Sequence, residues 1–147
     1  MAGFSVQAAF QAAGDPAAFP EDGLSPWQPQ KLYYTAFARS DFLRLAELSR
    51  EHGITWGDEE QEESEEWLDF TVPDEAITTR IDVLSYRSRT REAMRAHRTQ
   101  IAPDDPWLNF PEEVAGEIMG ADTFVRARSL VPSPVPEDDL FAGLRRH

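Results

Sequence analysis

Eleven prolines stand in four groups along the chain: Pro16 to Pro29, Pro73, Pro103 to Pro111, and Pro132 to Pro136. Proline fixes φ and removes a backbone donor, so a helix or central strand rarely runs through such a group. Regular structure is therefore confined to the stretches between them. At 147 residues these stretches suit one domain rather than two. The 41% apolar content, rich in Phe and Trp, is enough for a buried core.

Each stretch carries its own signal. Phe4 to Ala13 reads as a short helix, stopped by Gly14-Asp15-Pro16. Asp15 to Pro29 reads as an ordered, proline-stiffened loop, and Lys31 to Phe37 as a buried strand of aromatic and β-favouring residues. Helix 41–52 follows, with Ser40 as its cap, Asp41 in its first turn, an apolar stripe of Phe42, Leu45, Ala46 and Leu48, and Gly53 as its stop. Ile77 to Val83 alternates like a strand, and Ser85 to Gln100 places Tyr86, Thr90, Ala93, His97 and Gln100 on one helix face. That face is expected inward, with Arg87, Arg91, Arg95 and Arg98 mostly solvated. Pro111 opens a short helix ending near Gly120, and Thr123 to Val131 is a last strand. Residues 132–147 form a proline-rich connector and a small apolar tail. The whole is a single α/β domain, 1–147, without internal repeats.

Charge narrows the partners. Fourteen basic against 27 acidic residues leave a net −13, which repels phosphate backbones and anionic membranes. Seven acids in nine residues at Asp58 to Glu66 place a hydrated acidic loop over 57–67, read as a solvated loop with a cation or basic-partner site as the alternative. The amino-terminal residues carry no secretory pattern and no long apolar run occurs, so a cytoplasmic protein is expected.

Local chemistry is sparse. Without cysteine there is no disulfide, thiolate nucleophile or Cys-ligated metal. The three histidines, His52, His97 and His147, are far apart in sequence, and the Asp104-Asp105 and Asp138-Asp139 pairs sit beside prolines where neighbours point apart. His97 is the best single lead, as a residue that orients a neighbour or titrates near neutrality, or as a structural histidine satisfied by hydrogen bonds.

Five blocks together resemble the C-terminal half of the zinc-dependent LmbE-like, or PIG-L, amide hydrolases, the branch of the mycothiol-pathway amidase and deacetylase. They are Ala8 to Pro16, Pro26 to Tyr34, Ile77 to Val83, Ala96-His-Arg-Thr-Gln100, and Pro136 to Leu144. The resemblance implies part of a Rossmann-like α/β sandwich that cleaves amide bonds on N-acyl amino sugars with a zinc-bound water and an aspartate base. It places the zinc ligands and the base in His-Pro-Asp-Asp and His-Pro-Asp-His motifs, neither of which occurs in these 147 residues. No catalytic or metal residue is therefore carried over; His97 and Gln100 match a family signature as candidate pocket-support residues. The expectation is an incomplete sandwich, inactive and marginally stable alone, either a shortened hydrolase or a non-catalytic module that self-associates or completes its sheet against a partner chain. Zinc belongs to the intact family rather than to these residues.

Overall fold

A computed structural model describes residues 2–18, 20–55 and 65–145. Most of the acidic 57–67 loop, and His147, lie outside the described residues. The chain begins with helix α1 (Ala2–Ala12), followed by strands β1 (Lys31–Thr35) and β2 (Phe37–Ala38) and helix α2 (Arg39–Glu51). Strands β3 (Thr71–Val72) and β4 (Thr79–Asp82) come next, then helices α3 (Arg87–Ala96), α4 (Pro106–Asn109) and α5 (Glu112–Ile118), and finally strand β5 (Ala121–Ser129). No helix among the described residues is long and apolar enough to cross a membrane.

The architecture is mixed α/β around a small antiparallel sheet in the order β1-β5-β4. Nine-residue β5 is the centre, with Tyr33 opposite Arg126 on one side and Thr79 opposite Phe124 on the other. A bulge at Leu32/Tyr33 shifts the β1 register. Separately, β2 and β3 pair in parallel, Phe37 beside Thr71 and Ala38 beside Val72.

The segment after residue 132, read from sequence as a connector and tail, is fastened along β4. Thr78 O accepts from Glu137 N at 2.8 Å, and Glu137 O accepts from Arg80 N at 2.9 Å. These bonds satisfy part of an edge that would otherwise be open.

The apolar core sits to one side, between α2 and α5. Leu45 and Leu48, one turn apart, meet Phe110, Val114 and Ala115, with Phe42, Trp107 and Met119 packed around them. Gly53, at φ +64°, provides the left-handed residue that stops α2, as its sequence position predicts. The cap at the other end is corrected. Helix α2 starts at Arg39, so Ser40 lies inside its first turn, and its N–H and hydroxyl both donate to Asp74 Oδ1, at 3.1 and 3.0 Å. A carboxylate 34 residues away thus does the work of a local cap. Asp74→Ala is expected to lower stability by about 1 kcal/mol, read as a shifted urea midpoint. An unchanged midpoint in that variant would refute the cap.

The face expected of α3 is also corrected. The helix ends at Ala96, and Tyr86, Thr90, Ala93, His97 and Gln100 are all exposed. Arg87 and Arg91 turn inward instead. Arg87 pairs with Glu112 and donates to its carbonyl at 3.0 Å, and Arg91 donates to Phe110 O at 2.8 Å and to the Glu112 carboxylate at 3.0 Å. The partner surface is the start of α5, where carbonyls and a carboxylate call for donors rather than apolar groups. Gly116 leaves room for this, since a Cβ there would lie 3.0 Å from Arg87 Nη1.

Candidate functional site

The most elaborate polar construction lies between the sheet and the carboxy-terminal segment. Lys31 and Tyr33 alternate along β1 to one face, Arg126 stands opposite Tyr33 on β5, and Thr79 opens β4. All four converge on Glu137, whose side chain is fully shielded from water. Lys31 Nζ and Arg126 Nη1 lie 2.6 and 2.9 Å from Glu137 Oε1. The Tyr33 and Thr79 hydroxyls donate to Oε2 at 2.8 and 3.2 Å. Arg126 also donates to Ser133 Oγ at 2.5 Å, tying in the loop before the tail.

Burial alone would push the Glu137 carboxyl up. Hydrogen bonds from Lys31, Ser133 and Tyr33 and the charge of Arg126 outweigh it and hold the group at about 2. Burial pulls the Lys31 ammonium down, yet its hydrogen bonds to Glu137 and Tyr33 leave it raised above 10.5. The Tyr33 hydroxyl is raised above 10 by burial and by its bond to Glu137. An ionised carboxylate with five donors around its two oxygens is a poor general base, because taking a proton breaks those bonds. Its chemistry is that of an electrostatic clasp joining three strands to the tail.

An open cleft of about 910 Å³ runs beside the clasp, walled by Thr79, Arg80 and Asp82 of β4 and by Pro136, Glu137 and Asp138 of the tail. Arg80 reaches across to Asp41 at 2.6 Å.

The residues singled out from sequence lie elsewhere. His97 caps the end of α3, its carbonyl accepting from Gln100 N and Ile101 N, both at 2.9 Å, so His97 and Gln100 share one exposed turn. His52 follows α2 on the surface. Asp105 caps α4 by accepting from Trp107 N at 2.9 Å, and Asp139 accepts from Phe141 N and pairs with Arg145. Among the described residues no three His, Asp or Glu side chains come together to hold a metal ion, so they do not fit a zinc site.

No local motif marks the clasp, yet most of its residues fall in blocks that carry the resemblance. Lys31 and Tyr33 belong to the Pro26–Tyr34 block, Thr79 to Ile77–Val83 and Glu137 to Pro136–Leu144. Three separately matched blocks thus meet at one carboxylate.

Comparison with known proteins bears on what that convergence means. Mycothiol S-conjugate amidase of Streptomyces coelicolor is 33% identical over 139 residues, covering 93% of this chain and 47% of that protein. A 1D-myo-inositol 2-acetamido-2-deoxy-alpha-D-glucopyranoside deacetylase of Frankia alni is 34% identical over 147 residues, covering 92% of this chain and 48% of its own length. The chain belongs to this family of amidases and deacetylases. The deacetylase of Geodermatophilus obscurus agrees, at 33% identity over 92% of this chain and 46% of that protein. The chain spans about half the length of these curated relatives. No protein-family model and no solved structure matches it. The LmbE-like resemblance read from the five blocks thus stands.

Proposed function

We propose that the chain is the scaffold portion of a zinc-dependent hydrolase that cleaves amide bonds of N-acyl amino sugars of the mycothiol type, and that it is inactive by itself. The observation that carries this reading is the meeting of three family-matched blocks at Glu137. The residues described do not fit zinc, so the metal and the base belong to the part of the family's sequence outside this chain, and no step is assigned to its own side chains. In this reading the sheet and the α2–α5 core form one flank of a Rossmann-like sandwich in a cytoplasmic enzyme. His97 and Gln100, exposed in one turn, support the pocket once the other flank is in place.

The test is to read the coding DNA upstream of the Met1 codon in the same frame. His-Pro-Asp-Asp and His-Pro-Asp-His motifs are expected there, and the longer protein should release acetate from an N-acetylglucosaminyl inositol that this chain alone leaves intact. A stop codon with no such motifs beyond it would remove the reading. It would leave the second one, a non-catalytic module that associates with itself or with a partner, which the exposed Leu24, Phe37 and Phe70 favour.

A further inference from the structure

Charge is unevenly laid along this chain. Residues 87–98 hold five arginines against the single Glu92, a net +4, which leaves a net −17 on the other 135 residues. Four of the five fall in one row. Arg87, Arg91, Arg95 and Arg98 stand at spacings of four, four and three, so each lies beside the next along one side of α3 and into the turn that follows it. Arg89 stands on the other side of the helix, over the Tyr86 ring at 5.9 Å.

The outer half of the row is open. Arg95 and Arg98 are exposed and make no ion pair among the described residues, whereas Arg44 is matched to Glu47 and Glu117, Arg80 to Asp41 and Arg145 to Asp139. The inner half is short of negative charge too. Arg87 and Arg91 share Glu112, whose side chain is 72% exposed. Arg91 Nε is buried and has no hydrogen-bond partner among the described residues, and a buried donor left unpaired calls for an acceptor. Burial and the charges of Arg87 and Arg95 pull the Arg91 guanidinium down from its ordinary value, as a surplus of positive charge does.

The size of the patch selects its anion. A ten-residue helix is about 15 Å long, and the rest of the chain carries the net −17. A nucleic acid or an anionic membrane extends well past the patch and meets that repulsion. A short run of carboxylates ends where the patch ends, and each can pair with a guanidinium through two parallel hydrogen bonds.

We propose that the outer half of the α3 arginine row docks a short acidic segment of a partner polypeptide, its carboxylates pairing with Arg95 and Arg98 and with the edge of Arg91. This face is separate from the scaffold reading above and stands without it.

The test follows the fluorescence anisotropy of a labelled octaglutamate peptide titrated with the full chain at low ionic strength. Saturable binding is expected. Arg95→Glu and Arg98→Glu should each weaken it at least fivefold, because reversal removes a pair and adds repulsion. Arg89→Glu on the other side of the helix and Arg128→Glu on β5 change the net charge equally and should weaken it less than twofold. Amide resonances of 91–100 should move on titration of the unsubstituted chain, an answer that needs no variant. Absence of binding, equal losses in all four variants, or shifts confined to other residues overturns the proposal. Tighter binding of octathymidylate also overturns it, by making a phosphate polymer the occupant. So does a chain with the acids of Asp58 to Glu66 changed to their amides, if it binds the peptide at least tenfold more tightly, since the chain's own acids would then be the occupant.

Discussion

Glu137→Gln is expected to lower folding stability by about 3 to 5 kcal/mol, because it leaves Lys31 and Arg126 as buried cations without a counter-charge. Chemical denaturation at neutral pH, followed by far-ultraviolet circular dichroism, measures it. Lys31→Met should cost less, since Arg126 still neutralises the carboxylate at 2.9 Å. Acid provides an independent check with a definite sign. The Glu137 carboxyl is held at about 2 in the folded chain against an ordinary 4.5, so the unfolded chain takes up the proton first. Its contribution is fully present above pH 4.5, worth about 3 kcal/mol, and is lost as pH falls toward 2. The glutamine variant should lack this part of the acid transition. At the other end, the raised Lys31 and Tyr33 values mean that stability falls once pH rises past about 10. Superimposable acid limbs for the two proteins would show that the clasp does not hold the sheet.

Phe110→Ala should be comparably damaging, at about 3 to 5 kcal/mol. Phe110 is 3% exposed, meets Trp107 edge to face at 6.0 Å, and packs in one cluster with Leu45, Leu48, Val114 and Ala115. The cluster has five buried members among the described residues, so one lost ring removes a large share of its contacts. Folded proteins hold about 5 to 15 kcal/mol in total, and the variant is expected to be largely unfolded at room temperature, with its amide resonances collapsed into the random-coil range. Phe70→Ser, exposed in the folded chain, is the matched control. A folded Phe110→Ala with well-dispersed resonances would mean that the core lies elsewhere.

What the sequence disclosed follows the reach of each interaction. Helix α2 is legible because its stripe and its stop at Gly53 are local, and expected strands 31–37, 77–83 and 123–131 overlap β1, β4 and β5 for the same reason. The cap on α2 escapes because its acceptor, Asp74, comes from a distant loop. On α3 the sequence offers two stripes, one with His97 and Gln100 and one with Arg87 and Arg91. Periodicity alone favours the less charged one. Only the carbonyls and carboxylate at the start of α5 decide for the arginines. Glu137 is followed directly by Asp138, which is exposed, and Asp139, which is half-buried, and nothing within ten residues singles Glu137 out as the buried one. Its family block does, once Lys31, Tyr33 and Thr79 are seen to come from the other blocks.

The clasp also sets the order in which this chain can become a folded body. Lys31 and Glu137 are 106 residues apart, so their contact closes a loop that encloses nearly every other element. Closing so large a loop has an entropic cost that must be met before the contact returns anything, which makes the sheet a late arrival in folding. Until then Lys31, Arg126 and the strand edges remain solvated, and once it forms a break anywhere in the ring releases both ends together. Loss of structure in the sheet should accordingly be all-or-none rather than a fraying from one strand to the next.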